Sequence, residues 1–215
     1  MKMHVKICGL KTPQTLEATI AAGADMAGFV FFAPSPRHLS LADAAALGQQ
    51  AAGRIIKVAL LVDAADEAIS AVIAALKPDY LQLHGDETPR RVADIRRRMG
   101  VKVIKALKIA ASEDLAVARA YDDADMLLLD AKPPKGAVLP GGNGLAFDWS
   151  ILADSVLERP WLLSGGLHPG NVAEALQVTR ARGVDVSSGV ESAPGVKDVG
   201  KIDAFVQAAR GVSAG

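Results

Sequence analysis

Cys8 is the only cysteine among 215 residues, so no internal disulfide can form. Aromatic residues are scarce at 4%, and with half of the residues apolar, any core has to be filled by Ala, Val, Leu and Ile. Net charge is missing as well. The 24 Lys and Arg balance 24 Asp and Glu, which leaves no global field to attract nucleic acid or an anionic membrane. An anionic ligand therefore requires a local site. Apolar runs such as Val58-Ala59-Leu60-Leu61-Val62 fall far short of the ~20 residues a membrane helix needs. The start Met1-Lys2-Met3-His4 leads into only a few apolar residues, not a signal h-region. His4, His38, His84 and His168 show no close metal-ligand spacing, so no metal is expected. Arg96-Arg97-Arg98 suits the end of a helix and solvent. These absences point to a soluble, cytoplasmic protein without a nucleic-acid or membrane partner.

What is present is alternation. Short branched-apolar runs, read as strands at Val5 to Leu10, Met26 to Phe32, Ile56 to Val62, Tyr80 to Leu83, Val103 to Ile109, Met126 to Leu129, Trp161 to Leu163 and Val184 to Val186, are each followed by an amphipathic stretch. Thr12-Pro13 opens the first helix, and Ser40 with Asp43 resembles a capping box. Later helices are expected at Glu113 to Tyr121, Trp149 to Leu157, Val172 to Ala181 and Ile202 to Ala209. Eight strand-then-helix units in one undivided chain, 1–215, predict an α/β fold: a single-domain (β/α)8 TIM barrel, with an open doubly wound sheet as the other reading. Lys132 to Asn143, dense in Pro and Gly, reads either as a solvated loop or as a lid over the barrel mouth.

In such a barrel the loops after the strands form the active face. Cys8 lies near the end of the first strand, and a lone cysteine can equally be an inert buried hydrophobe. Asp130 follows Leu127-Leu128-Leu129, where a carboxylate can cap the next loop. Together they offer one group to remove a proton and one to donate it. Gly165-Gly166 and Ser188-Gly189 follow the seventh and eighth strands, where backbone N–H groups can cradle a phosphate. Gln82 and His84 stand two apart on one strand face, as pocket lining or as satisfied core polar groups. Lys6 shares the face of Cys8, and a cation there would help hold a thiolate.

Seven segments occur in order at barrel-like intervals. They are Lys6-Ile7-Cys8-Gly9-Leu10; Gly28-Phe29-Val30-Phe31 with Ser35-Pro36-Arg37; Leu81-Gln82-Leu83-His84-Gly85; and Leu128-Leu129-Asp130. Gly141-Gly142-Asn143-Gly144 leading to Phe147-Asp148-Trp149, Leu163-Ser164-Gly165-Gly166-Leu167, and Asp185-Val186-Ser187-Ser188-Gly189-Val190-Glu191 complete the set. On these motifs the chain resembles the phosphoribosylanthranilate isomerases of tryptophan biosynthesis over essentially its whole length. The resemblance implies an Amadori rearrangement of N-(5-phosphoribosyl)anthranilate to 1-(o-carboxyphenylamino)-1-deoxyribulose 5-phosphate. It implies Asp130 as general acid at the ribose ring oxygen and Cys8 as general base at the sugar C2, with no cofactor.

The same resemblance assigns Arg37 to the anthranilate carboxylate, where the plain reading is a solvated loop charge. It likens Asp185 to a residue that contacts the substrate's amino region, against the plain reading of a barrel-interior ion pair. Asn143, Leu145 and Ala146 depart from the family's commoner loop residues, so altered loop mobility is expected there. A small phosphorylated molecule is the expected ligand, and monomer and homodimer both stay open. Two alternatives remain: a non-catalytic sugar-phosphate-binding barrel, and the related aminoaldose isomerase of histidine biosynthesis, which resembles a barrel with Asp where this chain has Cys8.

Overall fold

The computed structural model describes residues 3–132, 148–152, 157 and 159–212. Eight parallel strands close into a barrel in chain order: β1 (His4–Cys8), β2 (Met26–Phe31), β3 (Ile56–Leu61), β4 (Tyr80–Leu83), β5 (Lys102–Ile109), β6 (Met126–Ala131), β7 (Trp161–Leu163) and β8 (Gly183–Val186). Closure comes from β1 pairing with β8, Val5 opposite Val184 and Lys6 opposite Asp185. The open-sheet reading is therefore excluded.

Alternation along the strands divides the apolar residues into two sets. Val5, Ile7, Phe29, Leu61, Leu81, Val103, Leu127 and Leu129 point outward into the layer shared with the helices. Met26, Val58, Ile104, Met126, Leu128 and Leu162 fill the barrel interior. That interior cluster is small because the remaining inward positions near the strand ends are polar, and these form the site. Lys105 faces outward yet is buried, its Nζ bonded to Glu87 Oε2 at 2.7 Å and to the carbonyls of Gly85 and Leu83 at 2.8 and 3.2 Å.

Among the described residues six α-helices cover the strands: α1 (Pro13–Ala21), α2 (Leu41–Ala51), α3 (Asp66–Leu76), α4 (Pro89–Met99), α5 (Val172–Thr179) and α6 (Val199–Arg210). Thr12 Oγ1 caps α1 by accepting from Thr15 N. Ser40 Oγ accepts from Asp43 N, but its hydroxyl donates to the Asp43 carboxylate, so the expected capping box is only half formed. Two expected helices are corrected. Instead of an α-helix at Glu113 to Tyr121, Ser112–Ala120 winds as a 3₁₀ turn, with only Ala118 of the segment buried. An apolar stripe that thin gives an α-helix little to gain by docking. At the expected Trp149 helix, Trp149–Leu152 is also 3₁₀, and most of the rest lies outside the described residues.

The first strand stops at Cys8, two residues short of expectation. Gly9 turns to φ +83°, and the N–H groups of Gly9 and Leu10 both bond Gly28 O. A side chain at that φ is strained, so the glycine fixes where the strand ends. After β8 the chain adds a small antiparallel hairpin absent from the expectation, β9 (Glu191–Ala193) and β10 (Val196–Lys197).

Candidate active site

The site is built from the C-terminal ends of the strands. Cys8 is buried at the end of β1 with its thiol unpaired by any disulfide. Directly beside it on β2, a Cβ added to Gly28 would lie 2.9 Å from Cys8 Sγ and 3.1 Å from Lys6 Nζ. Gly28 thus leaves one small space that the thiol and the ammonium share. Lys6 is fully buried, and its Nζ meets Asp185 Oδ1 at 2.7 Å across the β1–β8 seam. Asp185 Oδ2 accepts from Ser164 Oγ at 3.2 Å.

Charges around the thiol compete. Burial pushes the Cys8 thiol up; the Lys6 and Lys197 ammonium groups pull it down, Asp185 opposes them, and the thiol ends above its ordinary value. Burial alone would pull Lys6 down, but Asp185 and Cys8 together outweigh it and hold Lys6 as the ammonium. Lys6 therefore stands where the sequence placed it, as a cation beside the thiol that moderates the cost of burial without cancelling it.

Asp130 is buried near the end of β6, three strands around the barrel from β1. Its Oδ2 lies 3.1 Å from His84 Nε2, and its Oδ1 accepts from Ala131 N at 3.0 Å. Gln82 Nε2 in turn sits 2.8 Å from His84 Nδ1. Gln82 and His84 thus share one face as expected, and they form a chain of side chains ending on Asp130. In the assigned amide orientation Gln82 donates to Nδ1, so a neutral His84 carries its hydrogen on Nε2 and donates to Asp130. Gln82 Oε1 is buried without a partner among the described residues.

The two phosphate candidates are pressed together. Gly165 and Gly166 take φ +89° and +65° after β7, and Ser188 and Gly189 lie in the 3₁₀ turn Ser188–Val190 after β8. A Cβ on Gly189 would fall 1.9 Å from Leu167 O, and one on Gly165 would fall 2.6 Å from Ala131 N. Only residues without a side chain let these loops approach so closely.

Arg37 is not a solvated charge. It is buried on the loop after β2, its stem crossing Gly9, where a Cβ would meet Arg37 Cδ at 2.7 Å. Its Nε and Nη2 fork onto Glu191 Oε1 and Oε2 at 2.7 and 2.9 Å. Lys197 Nζ reaches Glu191 Oε1 at 2.7 Å and Ser187 O at 2.9 Å. Glu191 and Lys197 were not foreseen as site residues; Pro194-Gly195 between them is a turn signal that marks the hairpin. Asn143, Leu145, Ala146 and the lid expected after Lys132 lie outside the described residues. Among the described residues, no group of three or more His, Cys, Asp or Glu could hold a metal ion. No helix among them is long and apolar enough to cross a membrane.

A family model described as N-(5'phosphoribosyl)anthranilate (PRA) isomerase matches residues 5–208. The chain belongs to this isomerase family. Curated N-(5'-phosphoribosyl)anthranilate isomerases agree with that membership. One from Nitrobacter winogradskyi is 56% identical over 211 residues, 98% of this chain and 94% of the relative. One from Parvibaculum lavamentivorans is 55% identical over 213 residues, 98% and 99% of the two chains. The crystal structure of phosphoribosyl anthranilate isomerase from Thermotoga maritima superposes with a TM-score of 0.86 at 35% identity, covering 97% of this chain and 99% of that one. Another structure of the family, in complex with reduced 1-(o-carboxyphenylamino)-1-deoxyribulose 5-phosphate, gives a TM-score of 0.83 at 34% identity over 97% and 99%. The family's barrel and the closed barrel described above are the same architecture.

Proposed function

We propose that this chain carries out the family's reaction with Asp130 as general acid and Cys8 as general base. The substrate is N-(5-phosphoribosyl)anthranilate and the product 1-(o-carboxyphenylamino)-1-deoxyribulose 5-phosphate, an aldose-to-ketose isomerisation in tryptophan biosynthesis. Asp130 gives its proton to the ribose ring oxygen, the C1–O bond breaks, and the nitrogen lone pair forms the Schiff base. Cys8 then takes the proton from C2, and the resulting enolamine relaxes to the ketone. No organic cofactor or metal enters any of these steps.

The observation that carries this reading is the pair itself: a buried thiol and a buried carboxyl at the active ends of β1 and β6, in a chain matching the isomerase family over residues 5–208. The Gln82–His84 chain suits Asp130's task. Half a turn of the Gln82 amide offers Oε1 to a hydrogen on Nδ1, and Nε2 then accepts from a protonated Asp130. Asp130 can thus hold its proton before ring opening and be held as a carboxylate afterwards.

Substrate binding follows the same logic. The Gly165-Gly166 and Ser188-Gly189 loops supply backbone N–H donors to the phosphate, and Arg37 takes the anthranilate carboxylate. Asp185, held by Lys6, stands near the substrate's amino region. Residues 1–215 act as one catalytic domain, in the cytoplasm, as a monomer or homodimer; the Thermotoga maritima relative is described as dimeric in a structure of its monomers. Neither the histidine-pathway isomerase nor an idle binding barrel is favoured by the relatives found. The direct test follows the fluorescence of freshly made phosphoribosylanthranilate in the presence of purified protein. Protein-dependent loss is expected, and a decay no faster than without protein would overturn the reading.

A further inference from the structure

Arg37 and Glu191 meet edge to edge. The Nε and one Nη2 hydrogen occupy both carboxylate oxygens at 2.7 and 2.9 Å, so the fork is side-on. A guanidinium has five N–H groups and a second two-pronged edge, formed by Nη1 and the other hydrogen of Nη2. Among the described residues no partner takes that second edge, so it remains for a further carboxylate. Glu191 is itself fixed: Lys197 Nζ bonds Oε1 at 2.7 Å, and Gly195 N bonds Oε2 at 3.1 Å. Burial would raise the Glu191 carboxyl, yet Arg37 and Lys197 hold it below its ordinary value, so it stays ionised. The hairpin turn closes on the Arg37 loop, where Gly195, at φ +78°, approaches so closely that a Cβ would lie 2.5 Å from Pro36 O.

The cluster also reaches the reacting end of the site. Lys197 bonds Ser187 O and Oγ at 2.9 and 3.2 Å, and Ser187 Oγ donates to Cys8 O at 3.1 Å. Two buried basic groups share a single carboxylate here, and although burial pulls Lys197 below its ordinary value, Glu191 opposes that, so positive charge is in surplus at the mouth. A surplus cation in a low-dielectric setting favours a second anion.

We propose that Glu191 is a positioning residue that fixes the side-on edge of Arg37, so that its end-on edge selects substrates bearing a carboxylate. Through Lys197 it ties this selection to the Ser187 turn beside Cys8. The inference rests on the reading of Arg37 as the carboxylate's partner. Without Glu191 the flexible Arg37 stem has other rotamers open to it, and a bidentate contact has to be ordered anew in every binding event.

The test uses full-length protein and two ligands: the reduced product analogue, and the same compound made from aniline so that it lacks the carboxyl group. Wild type is expected to bind the carboxylated ligand at least about tenfold more tightly, as a bidentate charged contact implies. Glu191→Gln, which presents an N–H₂ group to one guanidinium donor, is expected to lose most of that preference. Its KM for phosphoribosylanthranilate should rise about tenfold with kcat within about threefold, the signature of lost uniform binding. Glu191→Asp should fall between the two, and it carries the test if Glu191→Gln does not fold. Arg37→Met is the control for the underlying reading, which fails if the preference survives in that variant. If Arg37→Met abolishes the preference while both Glu191 variants retain it, the role of Glu191 alone is overturned. Equal weakening of both ligands in the Glu191 variants overturns it too, leaving Glu191 as a staple for the hairpin.

Discussion

Lys6 and Asp185 pair at 2.7 Å inside the barrel, on the two strands whose pairing closes it. One contact therefore does two things: it joins the first strand to the last, and it sets a cation beside the Cys8 thiol. Asp185 is thus a barrel-interior partner of Lys6, and this fixed carboxylate is also what the proposed substrate contact would use.

Removing the ammonium should raise the thiol further. Lys6→Met is expected to move the pH dependence of Cys8 alkylation to higher pH, and Cys8 is the chain's only thiol, so the readout is clean. The same change strands a buried carboxylate and should cost on the order of 3–5 kcal/mol of stability, measurable by denaturant unfolding. An unchanged alkylation profile in folded protein would show that Lys6 does not tune the thiol.

The reacting pair should separate from the binding groups. Cys8→Ser and Asp130→Asn are each expected to lower kcat by roughly 10²–10⁴ while affinity for a product analogue changes little, because acid and base act in the transition state. Steady-state rates within a few-fold of wild type in both variants would remove them from the mechanism.

In wild type, burial places the thiol above its ordinary value, so only a minority is thiolate at neutral pH. If Cys8 is the base, kcat/KM should climb with pH through the neutral range and go on climbing above about pH 8.5, the ordinary thiol value. A rate profile already flat below pH 7 would contradict that.

His84 meets the Asp130 carboxyl through Nε2 at 3.1 Å. His84→Leu deletes a hydrogen bond to an ionisable group, worth about 1.5–3 kcal/mol, or roughly ten- to a hundredfold in rate. The loss is expected in kcat, and it should be smaller than for Asp130→Asn when the two are assayed side by side.

Glu191 also gives stability a pH dependence. Its carboxyl is depressed in the folded protein below its ordinary 4.5, so the unfolded chain binds the extra proton first. The stabilisation is present above that value and fades as pH falls through the folded value. Urea midpoints of wild type and Glu191→Gln should therefore converge below pH 4.5. A constant difference from pH 7 down to pH 3 would assign the effect to packing alone.

Much of the architecture was readable because each strand carries a local signal. The runs Met26–Phe31 and Met126–Leu129 are apolar on both faces, as barrel strands covered by helices must be. Cys8 and Asp130 were readable as strand-end polar groups following such runs. Less accessible was anything decided by long-range pairing. Arg37 and Glu191 are 154 residues apart in the chain, and no local pattern joins them. Ser112–Ala120 failed for the opposite reason: its composition suits an α-helix, and only the barrel could show that one residue of it is buried. Lys105 belongs with these cases, since an outward lysine in a strand reads as exposed until Glu87 is seen beneath it.

The seam between β1 and β8 also dictates when the enzyme can first work. On the ribosome, Cys8 emerges near the start of synthesis, while Asp185, Ser187, Glu191 and Lys197 come last. At about 5–20 residues per second the Cys8 thiol waits many seconds for its surroundings. Until Gly183–Val186 arrives, β1 and β7 are bare strand edges open to wrong partners. A chain stalled before that point lacks both the strand that closes the barrel and the carboxylate that pairs with Lys6.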